Sequence, residues 1–236
     1  MKITLQTITS IELSNVCNYS CMYCINRDIK NQSNRDCGIM DDNTFGIACV
    51  ILEQLIKKGT QKEIWLNGNG ESLLDPLLIS RTITIKRIMG NLQVGLSTNG
   101  ALMTIEIAKG LKAAGIDRVD ISCHKIEDAL KARKILWDNG ITAGLSIGIL
   151  SAPHNWAGQV PGIPCKLKDV ICLPLLEGRG YVQKEGNISP CCYDYRNLGT
   201  FGSVFDANIL DKPIRPYKLC ETCHQNIPEI IKNNIE

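Results

Sequence analysis

Between Ile8 and Ile149 short apolar runs alternate with amphipathic stretches, and no other feature constrains the fold as tightly. Ile8 to Leu13 reads as a strand. A helix follows from Asp41 or Asp42, with Phe45, Cys49, Leu52 and Ile56 on one face and Gly59 as its stop. Glu63 to Asn67 is the second strand. Asp75 and Pro76 read as an N-cap and first-turn proline for a helix carrying Leu78, Thr82, Ile85 and Met89. Leu92 to Ser97, a helix from Thr104 to Gly115, and Arg118 to Ser122 continue the alternation. The last helix should turn Ile126, Ala129, Ala132 and Leu136 inward and end at Asn139-Gly140, before a fifth strand from Thr142 to Ile149. Such units define an α/β fold with a parallel sheet, open or curled into a partial barrel, and ligands sit at the carboxyl ends of its strands.

After Leu150 the pattern changes to a Pro- and Gly-containing connection, Ser151 to Pro164, followed by a cysteine-rich stretch with short strands near Tyr181 to Gln183 and Asn187 to Ser189. We place a boundary near residue 152, giving a barrel domain over 1–151 and a small cysteine-rich domain over 152–236. The 236 residues suit one full domain plus such an appendage. A net charge of +2, from 26 basic and 24 acidic residues, gives no reason to expect nucleic acid as a partner. No apolar run approaches a membrane span, and Met1 to Ser10 has no signal-peptide layout, so a cytoplasmic chain with no membrane partner is expected. In that reducing compartment the 12 cysteines are free thiols or metal ligands, and spacing must sort them.

Cys17, Cys21 and Cys24 form a CxxxCxxC array in the loop after the first strand. Three thiolates this close can grip three corners of a four-iron, four-sulfur cube and leave one iron open to a non-protein ligand. The competing readings are a zinc site or three unrelated thiols, but zinc prefers paired ligands and a full set of four. The stretch from Glu12 through Cys24, with Tyr23 just before the third cysteine, resembles the signature of the radical SAM superfamily. That resemblance implies a partial (β/α) barrel in which the methionine part of S-adenosylmethionine chelates the open iron of a 4Fe-4S cluster. It also implies reductive cleavage to a 5′-deoxyadenosyl radical, hydrogen abstraction from a substrate, and an electron donor of the flavodoxin or ferredoxin type.

Gly68-Asn69-Gly70-Glu71 follows the second strand and resembles the GGE motif of that family, which implies that Gly68, Gly70 and Glu71 receive the ammonium group of the cofactor. Glycines allow close backbone approach, and a carboxylate suits a cation. Ser72 stands where many members have proline. Ser97-Thr98-Asn99-Gly100, after the third strand, resembles the polar cluster on the ribose side, so Ser97 and Asn99 are cofactor-binding candidates with Tyr23. Ser122 and His124 close the fourth strand; they are candidates too, although His124 reads equally as a proton donor or as a hydrogen-bonded strand-end histidine.

The C-terminal part carries Cys172, a GxxxxC pattern from Gly186 to Cys191, and Cys220-Glu-Thr-Cys223. This layout resembles the SPASM/twitch extension of radical SAM enzymes, which binds auxiliary iron-sulfur clusters. Cys172, Cys191, Cys220 and Cys223 would ligate a single auxiliary 4Fe-4S cluster, as in the shorter twitch form. Cys165 competes with Cys172 and Cys192 with Cys191, and a structural zinc remains the alternative occupant. Cys37, Cys49 and Cys123 read as ordinary small residues. In size and cluster count the chain resembles the aminocyclitol dehydrogenase type, so the expected activity is abstraction of a substrate hydrogen and oxidation of the substrate radical through the auxiliary cluster. A peptide-modifying maturase with the same chemistry is the alternative, although no leader-binding domain is visible at the N-terminus; a non-enzymatic zinc protein is the third reading. The substrate class is accordingly a small molecule or a peptide.

Overall fold

The computed structural model describes residues 2–21, 23–25, 35–147, 156–157, 159, 170–223 and 225–226. Strands β1 (Thr7–Ile11), β2 (Glu63–Leu66), β3 (Gln93–Thr98), β4 (Arg118–Ser122) and β5 (Thr142–Ser146) alternate with helices α1 (Asp42–Lys57), α2 (Leu78–Met89), α3 (Ile105–Ala113) and α4 (Ile126–Asp138). Successive strands pair in parallel: Ser10 lies beside Trp65, Trp65 beside Gly95, Gly95 beside Arg118, and Arg118 beside Thr142. Period-two alternation sends Ile64 and Leu66, Val94 and Leu96, and Val119 and Ile121 to the helix side, where all are fully buried in one core with Leu52, Leu55, Ile85, Leu111 and Leu136. Each such side chain contributes about 1.5–3 kcal/mol by leaving water. The opposite face is polar, with Ser97 and Ser122 at the strand ends.

The cysteine-rich segment adds β6 (Val170–Ile171), α5 (Leu173–Leu176), β7 (Arg179–Val182), β8 (Asn187–Ser189), β9 (Gly202–Ser203), α6 (Lys218–Glu221) and β10 (Gln225–Asn226). β7 pairs in parallel with β1, and β8 and β9 follow antiparallel, so the sheet runs β5-β4-β3-β2-β1-β7-β8-β9. The last part of the chain thus continues the sheet begun by the first. β6 and β10 form a separate parallel pair that brings the neighbourhoods of Cys172 and Cys223 together. Residue 152, the expected boundary, lies outside the described residues.

Three local expectations need correction. α2 starts at Leu78 instead of at Pro76, after a short 3-10 helix, Ser72–Leu74, capped by Glu71 and Asp75. The Asp75 carboxylate accepts from the Leu77 amide at 2.9 Å and pairs with Arg81 at 3.0 Å. Ile126 is 61% exposed, unlike Ala129, Ala132 and Leu136. It opens α4, and a helical side chain leans toward the N-terminus, which carries this one past the packed turns. β5 ends at Ser146, and the rest of the expected strand to Ile149 falls largely outside the described residues. Asp41 caps α1 as expected, accepting from the Thr44 amide at 2.9 Å.

Candidate active site

β1 hands the chain to a loop whose base is pinned shut. The Met40 amide donates to the Leu13 carbonyl at 2.8 Å and the Asn15 amide to the Gly38 carbonyl at 3.1 Å, so residues on both sides of the cysteine array are paired. Cys17, Cys21 and Cys24, none of them in a disulfide, are of intermediate exposure on that loop. With Gly68, Gly70 and Glu71 after β2, Ser97 and Asn99 at β3, and Ser122 and His124 at β4, they line one cleft of about 230 Å³. Tyr23 stands at its edge, its hydroxyl 2.7 Å from His124 Nδ1 and the two rings stacked at 5.8 Å.

The glycines of the second motif are needed for packing against the cysteine loop. A Cβ on Gly70 would lie 2.5 Å from the Ser14 and Val16 carbonyl oxygens, and one on Gly68 would lie 2.2 Å from Glu12 Cγ. The Glu71 amide donates to the Val16 carbonyl at 2.8 Å, and Ser72 Oγ donates to the Leu66 carbonyl at 2.9 Å, fixing the turn. Glu71 itself is 2% exposed, and its carboxylate accepts from the Leu73 amide at 3.0 Å, Thr98 Oγ1 at 2.7 Å and the Asn99 amide at 2.7 Å. Most of its hydrogen-bonding capacity joins the β2 turn to the end of β3. Asn99 Nδ2 in turn reaches Asn18 Oδ1 at 2.7 Å and Cys17 Sγ at 3.7 Å.

Burial raises the Cys17 pKa, and the nearby Glu71 and Cys21 add to the rise, against hydrogen bonds from the Tyr19 amide and Asn99 that lower it. A thiolate there calls for a cationic partner, which an iron cluster supplies. Burial and the neighbouring Cys21 push the Tyr23 hydroxyl up to about 12, and burial lowers the His124 pKa, so this pair is neutral at pH 7. Three thiols outside any disulfide around one cleft fit an iron-sulfur cluster. The fit to a ligand such as S-adenosylmethionine has its own observation: Asn67 Oδ1 lines this cleft, buried and with no donor from the protein. A buried acceptor left alone is unfavourable, and an ammonium or hydroxyl from a bound ligand would satisfy it.

The sequence marks Asn67 only as a polar residue in phase with the inner face of β2. Trp156 also lines the cleft, and its indole donates to the Tyr23 carbonyl at 3.1 Å. Glu12 had been quoted in the signature without a role. It is fully buried and accepts from the Asn69 amide at 2.9 Å, Tyr181 hydroxyl at 2.9 Å and Lys184 amide at 3.0 Å. A carboxylate closing an apolar strand was the visible sign.

Of the second group, Cys172 and Cys223 are buried, Cys191 and Cys220 are of intermediate exposure, and none is in a disulfide. Burial raises the pKa of Cys172 and Cys220, and Cys223 raises both further. Cys191 is raised first by a hydrogen bond with Cys192, then by burial, with Cys223 again contributing. Cys223 therefore lies within reach of the charge of Cys172, Cys191 and Cys220. Cys192 is exposed beside Cys191, and Cys165 lies outside the described residues. Cys49 and Cys123 belong to the main core, and Cys37 is exposed. Among the described residues no three His, Cys, Asp or Glu side chains gather as ligands of a single metal ion.

Residues 11–139 match the Radical SAM superfamily, and the chain belongs to that family. It is 32% identical to the probable GTP 3′,8-cyclase of Methanosarcina mazei over 53% of this chain and 35% of that protein. It is 30% identical to the GTP 3′,8-cyclase of Peptoclostridium acidaminophilum over 68% of this chain and 45% of that protein. The matched segment thus spans less than half the length of these relatives. In fold, the chain resembles BtrN in complex with AdoMet and 2-DOIA, with a TM-score of 0.71, 20% identity and coverage of 89% of this chain and 82% of that one. It also resembles native anSMEcpe with bound AdoMet, with a TM-score of 0.60, 14% identity and coverage of 98% and 84%. The α/β sheet is that of the partial barrels of this superfamily. These relatives are enzymes, and the family implies a 4Fe-4S cluster and S-adenosylmethionine, which removes the reading as a non-enzymatic zinc protein. Among the described residues no helix is long and apolar enough to cross a membrane.

Proposed function

We propose that the protein is a cytoplasmic radical SAM oxidoreductase of the SPASM/twitch type, with a second iron-sulfur cluster in its C-terminal segment. Cys17, Cys21 and Cys24 would hold the first 4Fe-4S cluster, and Cys172, Cys191, Cys220 and Cys223 the auxiliary one. The carrying observation is that these last four thiols, drawn from three segments, meet around Cys223, whose charge reaches Cys172, Cys191 and Cys220. Bound in the cleft, S-adenosylmethionine supplies on reduction the 5′-deoxyadenosyl radical that takes a hydrogen atom from the substrate, and the auxiliary cluster supplies a one-electron acceptor.

The protein's own residues bind and orient. Gly68 and Gly70 keep the β2 turn flush against the cysteine loop, Glu71 sets the position of Asn99, and Asn99 touches Cys17. Ser97 and Ser122 offer hydroxyls to the ribose side, and Tyr23 fixes the ring of His124 at the cleft wall. Neutral His124 can hold or pass a proton there. The substrate is a small polar molecule, and a flavodoxin- or ferredoxin-type protein delivers the electron. A peptide substrate is the second reading, favoured by the fold likeness to anSMEcpe, a structure of which carries AdoMet and the Kp18Cys peptide.

Anaerobic reconstitution with iron and sulfide tests this reading. About eight irons per chain are expected, and about four in Cys220→Ala, which should still cleave S-adenosylmethionine. About four irons in the wild-type protein would remove the second cluster.

A further inference from the structure

A buried charge cluster lies between the two cysteine groups and belongs to neither. Arg35, where the chain returns from the first cysteine loop, has a side chain 1% exposed. Its Nη2 pairs with Glu12, whose side chain is fully buried, and with Glu185 Oε2 at 2.9 Å. Nε reaches the two Glu185 oxygens at 3.3 and 3.2 Å, and Nη1 donates to the Tyr195 carbonyl at 3.4 Å, with the guanidinium 5.4 Å from the Tyr195 ring centre. Lys184 Nζ, 3.7 Å from Glu185, completes the set.

Each partner belongs to a different part of the molecule. Glu12 follows β1 and holds Asn69 of the cofactor turn through the Asn69 amide. Glu185 sits in the hairpin between β7 and β8, and Tyr195 follows the tight turn in which the Asp194 amide donates to the Cys191 carbonyl at 3.1 Å. Gln183 Nε2 fastens the same turn through the Asp194 carbonyl at 2.6 Å. Asn15, two residues before Cys17, donates to Glu185 Oε1 at 3.3 Å. One guanidinium therefore ties the first cysteine loop and, through Glu12, the cofactor turn to the segment that carries Cys191. Partners that fill a planar fork from several directions fix orientation as well as distance, which a lysine cannot do.

We propose that Arg35 is a positioning residue that sets the placement of the second cysteine group relative to the first. This rests on the two-cluster reading above. Glu12 and Glu185 are its counterparts, and the network acts through geometry without touching the bound ligand.

The test needs no substrate. Wild-type protein, Arg35→Gln and Glu185→Gln are reconstituted with iron and sulfide, then assayed for iron content, for 5′-deoxyadenosine formed from S-adenosylmethionine and dithionite, and for the magnetic interaction between the two reduced clusters by electron paramagnetic resonance. The wild type should hold about eight irons and show one defined inter-cluster interaction. Arg35→Gln should keep its iron and stay within about threefold of wild-type cleavage while that interaction broadens or weakens. Glu185→Gln, which retains the Glu12 pair and serves if the arginine variant fails to fold, should change it in the same direction by less. Eight irons with an unaltered interaction in both variants would overturn the role of Arg35 alone. Four irons in the wild type would instead sink the second cluster, and this inference with it.

Discussion

Cys17, Cys21 and Cys24 hang from one loop whose base is pinned shut by its own two ends, whereas Cys172, Cys191 and the Cys220–Cys223 pair arrive from three separate segments. The first group needs only local chain geometry and the strand ends of a regular sheet. The second needs β6 to meet β10, a long-range closure supported by few apolar contacts, with Cys191 carried in after the short β7–β8 hairpin: Cys172 packs with Leu175 and Ile214, and Cys223 with Leu219 and Ala157. A metal bound across such closures contributes to folding itself, while one bound on a pinned loop mainly adds chemistry. The first site should therefore fail by losing reactivity and the second by losing order.

The largest expected effect breaks the comparison at its reactive end. Cys21→Ala should reduce 5′-deoxyadenosine formation to background, measured chromatographically after anaerobic assay, while the sheet core remains folded by circular dichroism. Retained cleavage would show that the array is not the reactive centre. Next comes iron removal. Chelation should speed backbone hydrogen exchange across 170–223 by about tenfold or more, with little change over β1 to β4; equal acceleration in both regions would erase the contrast.

Glu71→Gln is a smaller, sharper test. Its amide would face the Thr98 hydroxyl and the Asn99 amide, where an acceptor is required, and shift Asn99 from Cys17. Binding of S-adenosylmethionine should weaken about tenfold, read by equilibrium dialysis of the iron-loaded protein. The least effect concerns pH. Burial holds the folded His124 pKa below its ordinary 6.5, so the unfolded chain binds the proton more readily. Stability should fall as pH drops through that ordinary value, and His124→Gln should flatten this part of the denaturation profile.

How much of this was legible follows from the same contrast. Alternating apolar runs disclosed β1 to β5 and α1 to α4 because period-two and helical patterns report which face is buried, as Ile64 and Leu66 or Ala129 and Leu136 do. The grouping of the cleft residues was legible because they end successive strands, and parallel strands place such ends side by side. Three things were not. β7 pairs with β1 across most of the chain, a contact no local pattern carries. The function of Gly70 in letting two backbones meet depends on a neighbour 54 residues away at Val16. Arg35 carries no local pattern that marks it as buried, and only the fold closes Glu12, Glu185 and Tyr195 around it.

The most direct test of the account is simple to state. Anaerobically purified, iron-loaded protein is mixed with S-adenosylmethionine and a strong reductant, and 5′-deoxyadenosine and methionine are quantified. Formation of both, lost when Cys17, Cys21 or Cys24 is replaced, is the predicted result; a fully iron-loaded protein that leaves the cofactor intact would contradict it.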